Sequence, residues 1–214
     1  MWTSDGKPPQ LIEFALPGNA QPHRLERSTL EDVAGVAGAV QSSLPELESF
    51  MDWVQGGYAE ADALVFLQLS EDWWESDQEY NWSIRTPDGA IVGMCGLMRR
   101  QGEGSLEIGY WLRTDVTGQG IATAVTKSLV EVALMEPSVR SVFLLHADSN
   151  PGSGRVAEKA GFSQIGQQTR PAIDQNGPTQ VWAIGDLEFR PAELGEVANT
   201  NSQTSSGNGR ARTG

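Results

Sequence analysis

The feature that most constrains this chain is a glycine-rich turn, Gly118-Gln119-Gly120, which lies between a run of predicted strands and a predicted helix. Glycine lets the backbone approach a ligand closely, and the N–H groups of a first helical turn favour an anion. The turn lacks the Gly-Lys-Ser/Thr ending of a nucleotide P-loop and the third glycine of a dinucleotide fingerprint. Because such a turn is structural about as often as functional, its meaning depends on the surrounding elements.

Helical patterns dominate the chain well before this turn. A short strand at 23–27 leads to Ser28 and Glu31, whose spacing is that of a capping box. A helix is expected to follow. Two further helical stretches, 45–55 and 58–75, complete this region.

Three predicted strands precede the turn directly. Strands at 80–85 and 90–98 flank Thr86-Pro87-Asp88-Gly89, which has β-turn chemistry, and a third strand covers 105–113. The second strand is apolar on both faces, as expected of a central, covered strand. These strands predict an antiparallel meander.

After the turn the pattern changes to helix, strand, helix and two strands. The expected elements are a helix from Ile121, a strand at 139–146, a helix at 155–160 and strands near 162–168 and 179–189. The whole order predicts a mixed α/β domain in which a meander is followed by a β-α-β crossover.

The length of 214 residues favours one domain. Residues 1–21, rich in Pro, Gly and polar side chains, are expected to form a flexible extension outside the main fold. The domain is expected to span 22–189. Residues 190–214 are expected to form a disordered tail, because 199–214 contains no large apolar residue.

Composition excludes several classes of function. A net charge of −13 disfavours direct nucleic-acid binding and suits a cationic partner. The one cysteine, Cys95, and the two distant histidines, His23 and His146, predict no metal site. No segment reaches the about 20 apolar residues needed to span a bilayer, and the start of the chain is unlike a signal peptide, so a cytoplasmic protein is expected.

Two motifs together resemble those of a known family. Glu107-Ile108-Gly109-Tyr110-Trp111-Leu112, followed by Gly118-Gln119-Gly120-Ile121-Ala122-Thr123, resembles motif A of the GNAT acetyltransferase superfamily. The segment from Asn150 to Phe162 resembles the Asn-x-x-Ser-x-x-Val-x-x-Lys-x-Gly-Phe run of the branch that includes the RimJ and RimL ribosomal-protein acetyltransferases. The resemblance covers residues 22 to 189.

This resemblance implies an α/β GNAT fold, with a mixed, mostly antiparallel central sheet of six to seven strands flanked by helices, in the order β-α-α-β-β-β-α-β-α-β. It implies N-acetyl transfer from acetyl-CoA to a primary amine. The acceptor is either a protein N-terminus of the ribosomal-protein type or a small-molecule amine. A homodimer is expected only from family habit, and a non-catalytic acyl-CoA-binding or interaction module is the alternative.

The resemblance also assigns residues to the cofactor. Contacts are expected from Leu112, Arg113, Thr114, Thr117, Gly118, Gln119, Gly120, Ile121, Ala122, Thr123, Asn150 and Ser153. The backbone of residues 112–114 would bond to pantetheine and polarise the thioester. One departure is Thr117, which stands where the superfamily pattern has Gln or Arg.

Acyl transfer to an amine requires a base for the amine, a donor for the oxyanion and a proton for the leaving thiolate. Glu107 is the candidate base, with a solvated strand residue as its alternative role. Ser153 would donate a proton to the coenzyme A thiolate or bind its sulfur side, with helix capping as its alternative role. Asn150 would hold the pantetheine arm, with loop formation as its alternative.

Several other residues are expected to be structural. Tyr110 and Trp111 are expected in the core, and His146 at a strand edge. Packing is also the favoured role of Trp53, Trp73 and Trp74, although in the family this region helps to form the acceptor wall.

Overall fold

The computed structural model describes residues 2–168 and 178–187. Within these residues, eight strands form one mixed sheet in the order β1-β2-β3-β4-β5-β6-β8-β7. The strands are β1 (Leu11–Phe14), β2 (His23–Arg27), β3 (Glu79–Arg85), β4 (Ile91–Met98), β5 (Ser105–Leu112), β6 (Ser141–Ala147), β7 (Ser163–Gln168) and β8 (Thr179–Gly185). The α-helices are α1 (Val33–Gln41), α2 (Leu44–Leu47), α3 (Glu60–Glu75), α4 (Ile121–Leu134) and α5 (Pro151–Ala160). Short 3₁₀ turns occupy Leu30–Asp32, Asp52–Val54 and Thr114–Val116.

The expected α/β architecture, a mixed sheet flanked by helices, is confirmed, with eight strands among the described residues in place of six to seven. Strands β3, β4 and β5 form the expected antiparallel meander. Strands β5 and β6 are parallel, and α4 makes the crossover that a parallel pair requires. The predicted tail at 190–214 lies outside the described residues.

The N-terminal segment differs from the expectation. Residues 1–21 were expected outside the main fold, but β1 pairs with β2 along its full length. The indole N–H of Trp2 donates to the carbonyl of Val132 at 2.6 Å. The ammonium of Lys7 lies 2.7 Å from the carboxylate of Asp77. The extra strand therefore belongs to the sheet, and the residues before it contact the domain.

Strand β5 divides its side chains between two apolar layers. Leu106, Ile108 and Tyr110 face the layer that includes Ile121 of α4, whereas Trp111 packs in the layer of α1 and α3. This alternation follows from the period of two in a strand. The sheet is therefore covered by α4 on one face and by α1 and α3 on the other.

The single cysteine lies in the first of these layers. Cys95, on β4, is 3% exposed. Burial raises the pKa of its thiol far above the ordinary range, because the thiolate would lose its hydration. The thiol is therefore held in its protonated, unreactive form.

The predicted capping box is shifted by one residue. The backbone N–H of Thr29, in place of Ser28, donates to the carboxylate of Asp32 at 3.4 Å. Asp32 is 5% exposed, and it also accepts from Ser83 Oγ at 2.8 Å and pairs with Arg85. Because Asp32 is needed to hold Arg85 and Ser83, it takes the capping position instead of Glu31.

No helix among the described residues has the length and apolar character needed to cross a bilayer.

Candidate active site

A gap opens in the sheet between β5 and β6. Within the described residues, the two strands pair only as far as Ile108 and Leu144, although β5 continues to Leu112 and β6 to Ala147. Beyond this point β5 stays paired with β4, and β6 stays paired with β8. The strands therefore separate near the carboxyl ends of the parallel pair.

A cavity of about 1270 Å³ passes through this gap. On one face of the sheet it is lined by Glu107 and Trp111, and on the other by Tyr110 and Ile121. Ser153 of α5 also lines it. A ligand in the cavity can therefore contact both faces of the sheet at once.

The glycine-rich turn lies at one end of the cavity. Gly118 and Gly120 have φ values of 76° and 86°, in the left-handed region that glycine adopts without strain. Gly120 is the N-cap of α4, and the first helical bond of the turn runs from the Ala124 N–H to the Gly120 carbonyl at 3.0 Å. The N–H groups of residues 121–123 precede that bond at the cavity wall, where the N-terminus of a helix is suited to an anion.

Polar side chains of residues 113–119, before the helix, form hydrogen bonds with other groups of the same loop. Thr117 Oγ1 donates to the carbonyl of Thr114 at 2.7 Å. Arg113 holds Asp115 through two nitrogens, and Gln119 Nε2 donates to the carbonyl of Asp115 at 3.3 Å. Arg113 and Gln119 do not line the cavity, whereas the other predicted cofactor residues do. The hydroxyl of Thr117 thus closes the loop, and its backbone remains at the cavity.

The backbone at the end of β5 is only partly available to a ligand. The N–H of Arg113 donates to the Val92 carbonyl at 2.8 Å, and that of Thr114 donates to Ser43 Oγ at 2.8 Å. Because backbone groups alternate along a strand, those of Leu112 point away from β4 toward the gap. The N–H groups of Arg113 and Thr114 are therefore used within the protein, whereas the backbone groups of Leu112 face the gap.

Helix α5 places Ser153 beside Tyr110. Asn150 caps this helix by accepting the N–H of Ser153 at 3.1 Å, and Pro151 occupies its first turn. The alternative role of Ser153 as a cap is therefore wrong, since Asn150 is the cap. The hydroxyl oxygens of Ser153 and Tyr110 are 3.0 Å apart.

Tyr110 packs against the core, as expected, and it also lines the cavity. Burial raises the pKa of its phenol, and the hydrogen bond to Ser153 opposes that rise. The phenol therefore keeps its proton at neutral pH. The sequence around Tyr110 does not predict the contact between the two hydroxyl groups, because Ser153 lies 43 residues away.

Glu107 lies where alternation along the strand predicted it. Its side chain is on the face opposite Leu106, and it lines the cavity although the residue is only 7% exposed. Gln101 Nε2 donates to its carboxylate. Glu107 is thus a buried, oriented carboxylate, and its alternative role as a solvated strand residue is wrong.

Cationic side chains on the lining lie mainly on α5. Arg155 and Lys159 both line the cavity and are exposed. Arg100 also lines the cavity, but its positive charge is balanced by Glu79, whose carboxylate lies 2.8 Å from the Arg100 Nε. The α5 side therefore suits an anionic ligand, although the chain as a whole carries −13.

Acidic and aromatic side chains surround the mouth on the other face. Glu46, Asp52 and Asp62 line it and are exposed. Burial, and then the charge of Asp62, raises the pKa of Tyr58 to about 12, so its phenol is a neutral hydrogen-bonding group there. This mouth attracts a cation with an apolar body.

Of the three tryptophans in and near the early helices, two line the cavity and one lies in the core. The Trp53 ring lies 6.1 Å from Trp111, and both line the cavity, as does Trp73. Trp74 is 2% exposed and packs at 5.2 Å from Trp82 in the core. Trp53 and Trp73 are therefore wall residues of the mouth, and Trp74 is structural.

His146 is held in one orientation beside the site. Its Nδ1 lies 2.8 Å from the Ala147 carbonyl, and its Nε2 accepts the indole N–H of Trp182 at 3.0 Å. A Cβ at Gly154 would lie 3.1 Å from that Nε2, so glycine there leaves room for the ring. Among residues 2–168 and 178–187, no group of three or more His, Cys, Asp and Glu is arranged to hold a metal ion.

Comparison with known proteins points to one family. The family model of the acetyltransferase (GNAT) domain matches residues 24–163. The protein of Bacillus subtilis strain 168 with the provisional name ribosomal N-acetyltransferase YdaF is 34% identical over 91 residues, which is 42% of this chain and 49% of its own length. The chain thus spans about half the length of the curated relatives it matches.

Two solved structures have a similar fold. RimJ of Mycobacterium smegmatis, in complex with CoA-disulfide, superimposes with a TM-score of 0.72 at 21% identity, covering 85% of this chain and 90% of its own. RimL, a ribosomal L7/L12 alpha-N-protein acetyltransferase in complex with coenzyme A, gives 0.70 at 16% identity, covering 81% and 98%. At these identities the likeness concerns the fold.

Proposed function

This chain belongs to the acetyltransferase (GNAT) family, and from that premise we propose that it transfers an acetyl group from acetyl-CoA to a primary amine. The observation that carries the proposal is the cavity through the gap between β5 and β6. It joins a helix N-terminus suited to an anion with a buried carboxylate on the other face of the sheet. The two reactants would meet in the gap from opposite faces.

The residues present fit coenzyme A. The N–H groups of residues 121–123, after the turn at Gly118 and Gly120, would hold the pyrophosphate. The backbone groups of Leu112 that face the gap would bond to the pantetheine arm. Arg155 and Lys159 supply positive charge nearby. When bound, acetyl-CoA supplies the acetyl group as an activated thioester.

The acceptor would enter from the acidic mouth. An ammonium group is attracted by Glu46, Asp52 and Asp62. Glu107, held by Gln101, would then take a proton from the amine, directly or through a water, so that the nitrogen can attack. Oriented burial of the carboxylate supports this role.

The opposite face would supply the proton for the thiolate. If Tyr110 donates its phenolic hydrogen to Ser153 Oγ, the hydroxyl hydrogen of Ser153 is left to point into the gap. The distance of 3.0 Å allows that direction, and the raised pKa of Tyr110 keeps the hydrogen on its phenol. Tyr110 thus acts as a positioning residue for Ser153.

A protein N-terminus is the leading acceptor class, with small-molecule amines as the second. The names of YdaF and RimL support ribosomal-protein N-termini. An α-amine with a pKa near about 8 is also more often neutral at pH 7 than an alkylamine near about 10.4. A cytoplasmic location, a homodimer and the absence of direct nucleic-acid binding remain part of the proposal.

Two measurements test the proposal in sequence. Thermal melting with acetyl-CoA, and separately with CoA, should raise the apparent stability by about 2.7 kcal/mol at a hundredfold excess over the dissociation constant. Release of the CoA thiol should then be followed with N-terminal peptides and small amines. A folded protein without a melting shift at millimolar ligand would overturn cofactor binding. A shift without turnover on either panel would indicate a non-catalytic module.

A further inference from the structure

A row of three residues crosses the sheet on the same face as Glu107. Asn81 of β3 is paired with Gly96 of β4, and Gly96 is paired with Gly109 of β5. All three line the cavity. Because neighbouring strands are about 4.8 Å apart, the row is about 10 Å long, and its far end lies two residues from Glu107.

Gly96 and Gly109 form a glycine floor in the sheet. The space that their own side chains would occupy is filled by neighbouring side chains. A Cβ on Gly96 would overlap Asn81 Oδ1, so the amide of Asn81 lies over the Gly96 backbone. A Cβ on Gly109 would lie 2.9 Å from Met98 Cε. Any larger residue would displace these groups. The floor is therefore bordered by an amide on one side and by Glu107 on the other.

The amide of Asn81 is not fully used by the protein. Asn81 is 8% exposed, and its Nδ2 has no hydrogen-bond partner among the residues that the structure describes. A buried donor without a partner is costly, and most buried polar groups in proteins are satisfied. The residue that carries this donor lines the cavity, so a ligand bound there can supply the partner.

We infer that Asn81 binds the carbonyl oxygen next to the acceptor amine and so selects α-amino carbonyl compounds over simple alkylamines. The inference rests on the proposed transfer to an amine. An amide N–H₂ requires an acceptor, which an ammonium group cannot provide but an adjacent carbonyl can. With the amine at Glu107, an adjacent carbonyl would point along the row toward Asn81, where it can accept from the amide.

The acid–base chemistry of the site agrees with this choice. An α-amine beside a carbonyl loses its proton more readily than an alkylamine, so a single carboxylate such as Glu107 is a sufficient base. The rings of Trp53 and Trp111 line the cavity and can contact an apolar side chain of the acceptor. The acceptor class is therefore a free N-terminal residue or an amino-acid amide.

The test compares phenylalaninamide with phenethylamine, which lacks the carbonyl. Calorimetry measures their binding to the protein saturated with CoA, and thiol release measures kcat/KM with acetyl-CoA. The variants are Asn81→Ala and Asn81→Leu, the second of which keeps the volume of the side chain. Gln68→Ala, an amide truncation on the exposed face of α3 outside the cavity, is the control.

The wild type should bind phenylalaninamide the more tightly. Both Asn81 variants should lose about tenfold or more in kcat/KM for phenylalaninamide and much less for phenethylamine. The difference in amine pKa between the two substrates is the same for the wild type and the variants. It therefore cancels when the losses in kcat/KM are compared. The melting shift with CoA should persist in every variant.

Equal losses for both substrates, or equal wild-type binding of both, would overturn the role of Asn81 while leaving the transferase proposal intact. Binding of neither compound would also overturn it. Failure of the proposed function differs from these outcomes, because then CoA gives no melting shift or no amine of any class is acetylated. If both variants fail to fold, the wild-type binding preference decides.

Discussion

The hydroxyl oxygens of Tyr110 and Ser153 lie 3.0 Å apart and join strand β5 to helix α5 beside the gap in the sheet. Tyr110 keeps its proton because burial raises its pKa. Ser153 is fixed at the third position of α5 by the cap that Asn150 provides. The contact therefore joins a strand and a helix that each have regular backbone hydrogen bonding.

Tyr110→Phe should lower kcat about fivefold with little effect on the KM for acetyl-CoA, because it removes one neutral hydrogen bond to Ser153. Ser153→Ala should cost at least as much. The double variant should be no worse than Ser153→Ala, since Tyr110 acts only through Ser153. Steady-state kinetics of the three variants checks this.

Tyr80→Phe is the matched control for that series. Its hydroxyl donates to Asp77 at 2.9 Å, away from the cavity, so its kinetics should match the wild type. Losses in the Tyr110 and Ser153 double variant that equal the product of the single losses would show that the two residues act independently.

Glu107→Gln should lower turnover about tenfold or more, because the amide cannot accept the proton of the amine. The change keeps the shape of a buried side chain, and its oxygen can still accept from Gln101. The melting shift with CoA should be unchanged. Glu103→Gln, an exposed change on the preceding turn, is the control. Normal turnover in Glu107→Gln would remove this residue from the mechanism.

Gly120→Ala and Gly38→Ala should change stability in opposite directions. Gly120 has a φ of 86°, where a Cβ costs about 1 kcal/mol, although nothing lies within 4 Å of that Cβ. Gly38 is an exposed helical residue of α1 with equally open space, where alanine should stabilise by up to about 1 kcal/mol.

Chemical denaturation measures both effects, and the CoA melting shift should shrink only in Gly120→Ala. A Gly120→Ala variant as stable as the wild type would mean that the turn does not need glycine's conformational freedom.

His23 should make stability depend on pH. Burial lowers the pKa of its imidazole, and the charge of Asp88 only partly opposes this. The unfolded chain therefore binds the proton more readily than the folded one, so stability is present above about pH 6.5 and is lost as pH falls through the folded pKa.

His23→Phe removes this titration and keeps a ring at 5.5 Å from Phe14. Between pH 8 and pH 5.5 the Tm of the wild type should fall more than that of His23→Phe. The difference between the two Tm values at pH 8, where His23 is neutral in both folded and unfolded chains, is the control. Parallel declines of the two Tm curves would show that His23 does not change its pKa on folding.

Local patterns in the sequence predicted much of the fold. Alternation placed Glu107 opposite Leu106, and helical spacing placed Ile121 on the buried face of α4, because both depend only on the period of an element. The end of α5 also follows local chemistry. Gly161 takes a φ of 94°, and the N–H of Phe162 returns to the Ala157 carbonyl at 3.0 Å.

The failures all involve contacts distant in the chain. Strand β1 has four residues between Pro- and Gly-containing segments, and only its pairing with β2 makes it a strand. The N–H of Thr114 is taken by Ser43, 71 residues away. Asn81 carries no motif, and only the pairing of β3 with β4 shows that its Nδ2 lacks a partner among the described residues. No local pattern encodes these relationships.

The burial of Cys95 makes the molecule convenient for site-specific labelling. Because the one native thiol is buried and protonated at neutral pH, a cysteine introduced at an exposed lining position such as Val65 would react with a maleimide in preference to it. A fluorophore or spin label could thus be attached beside the acidic mouth without first removing Cys95, and acceptor binding could be followed optically in an otherwise native chain.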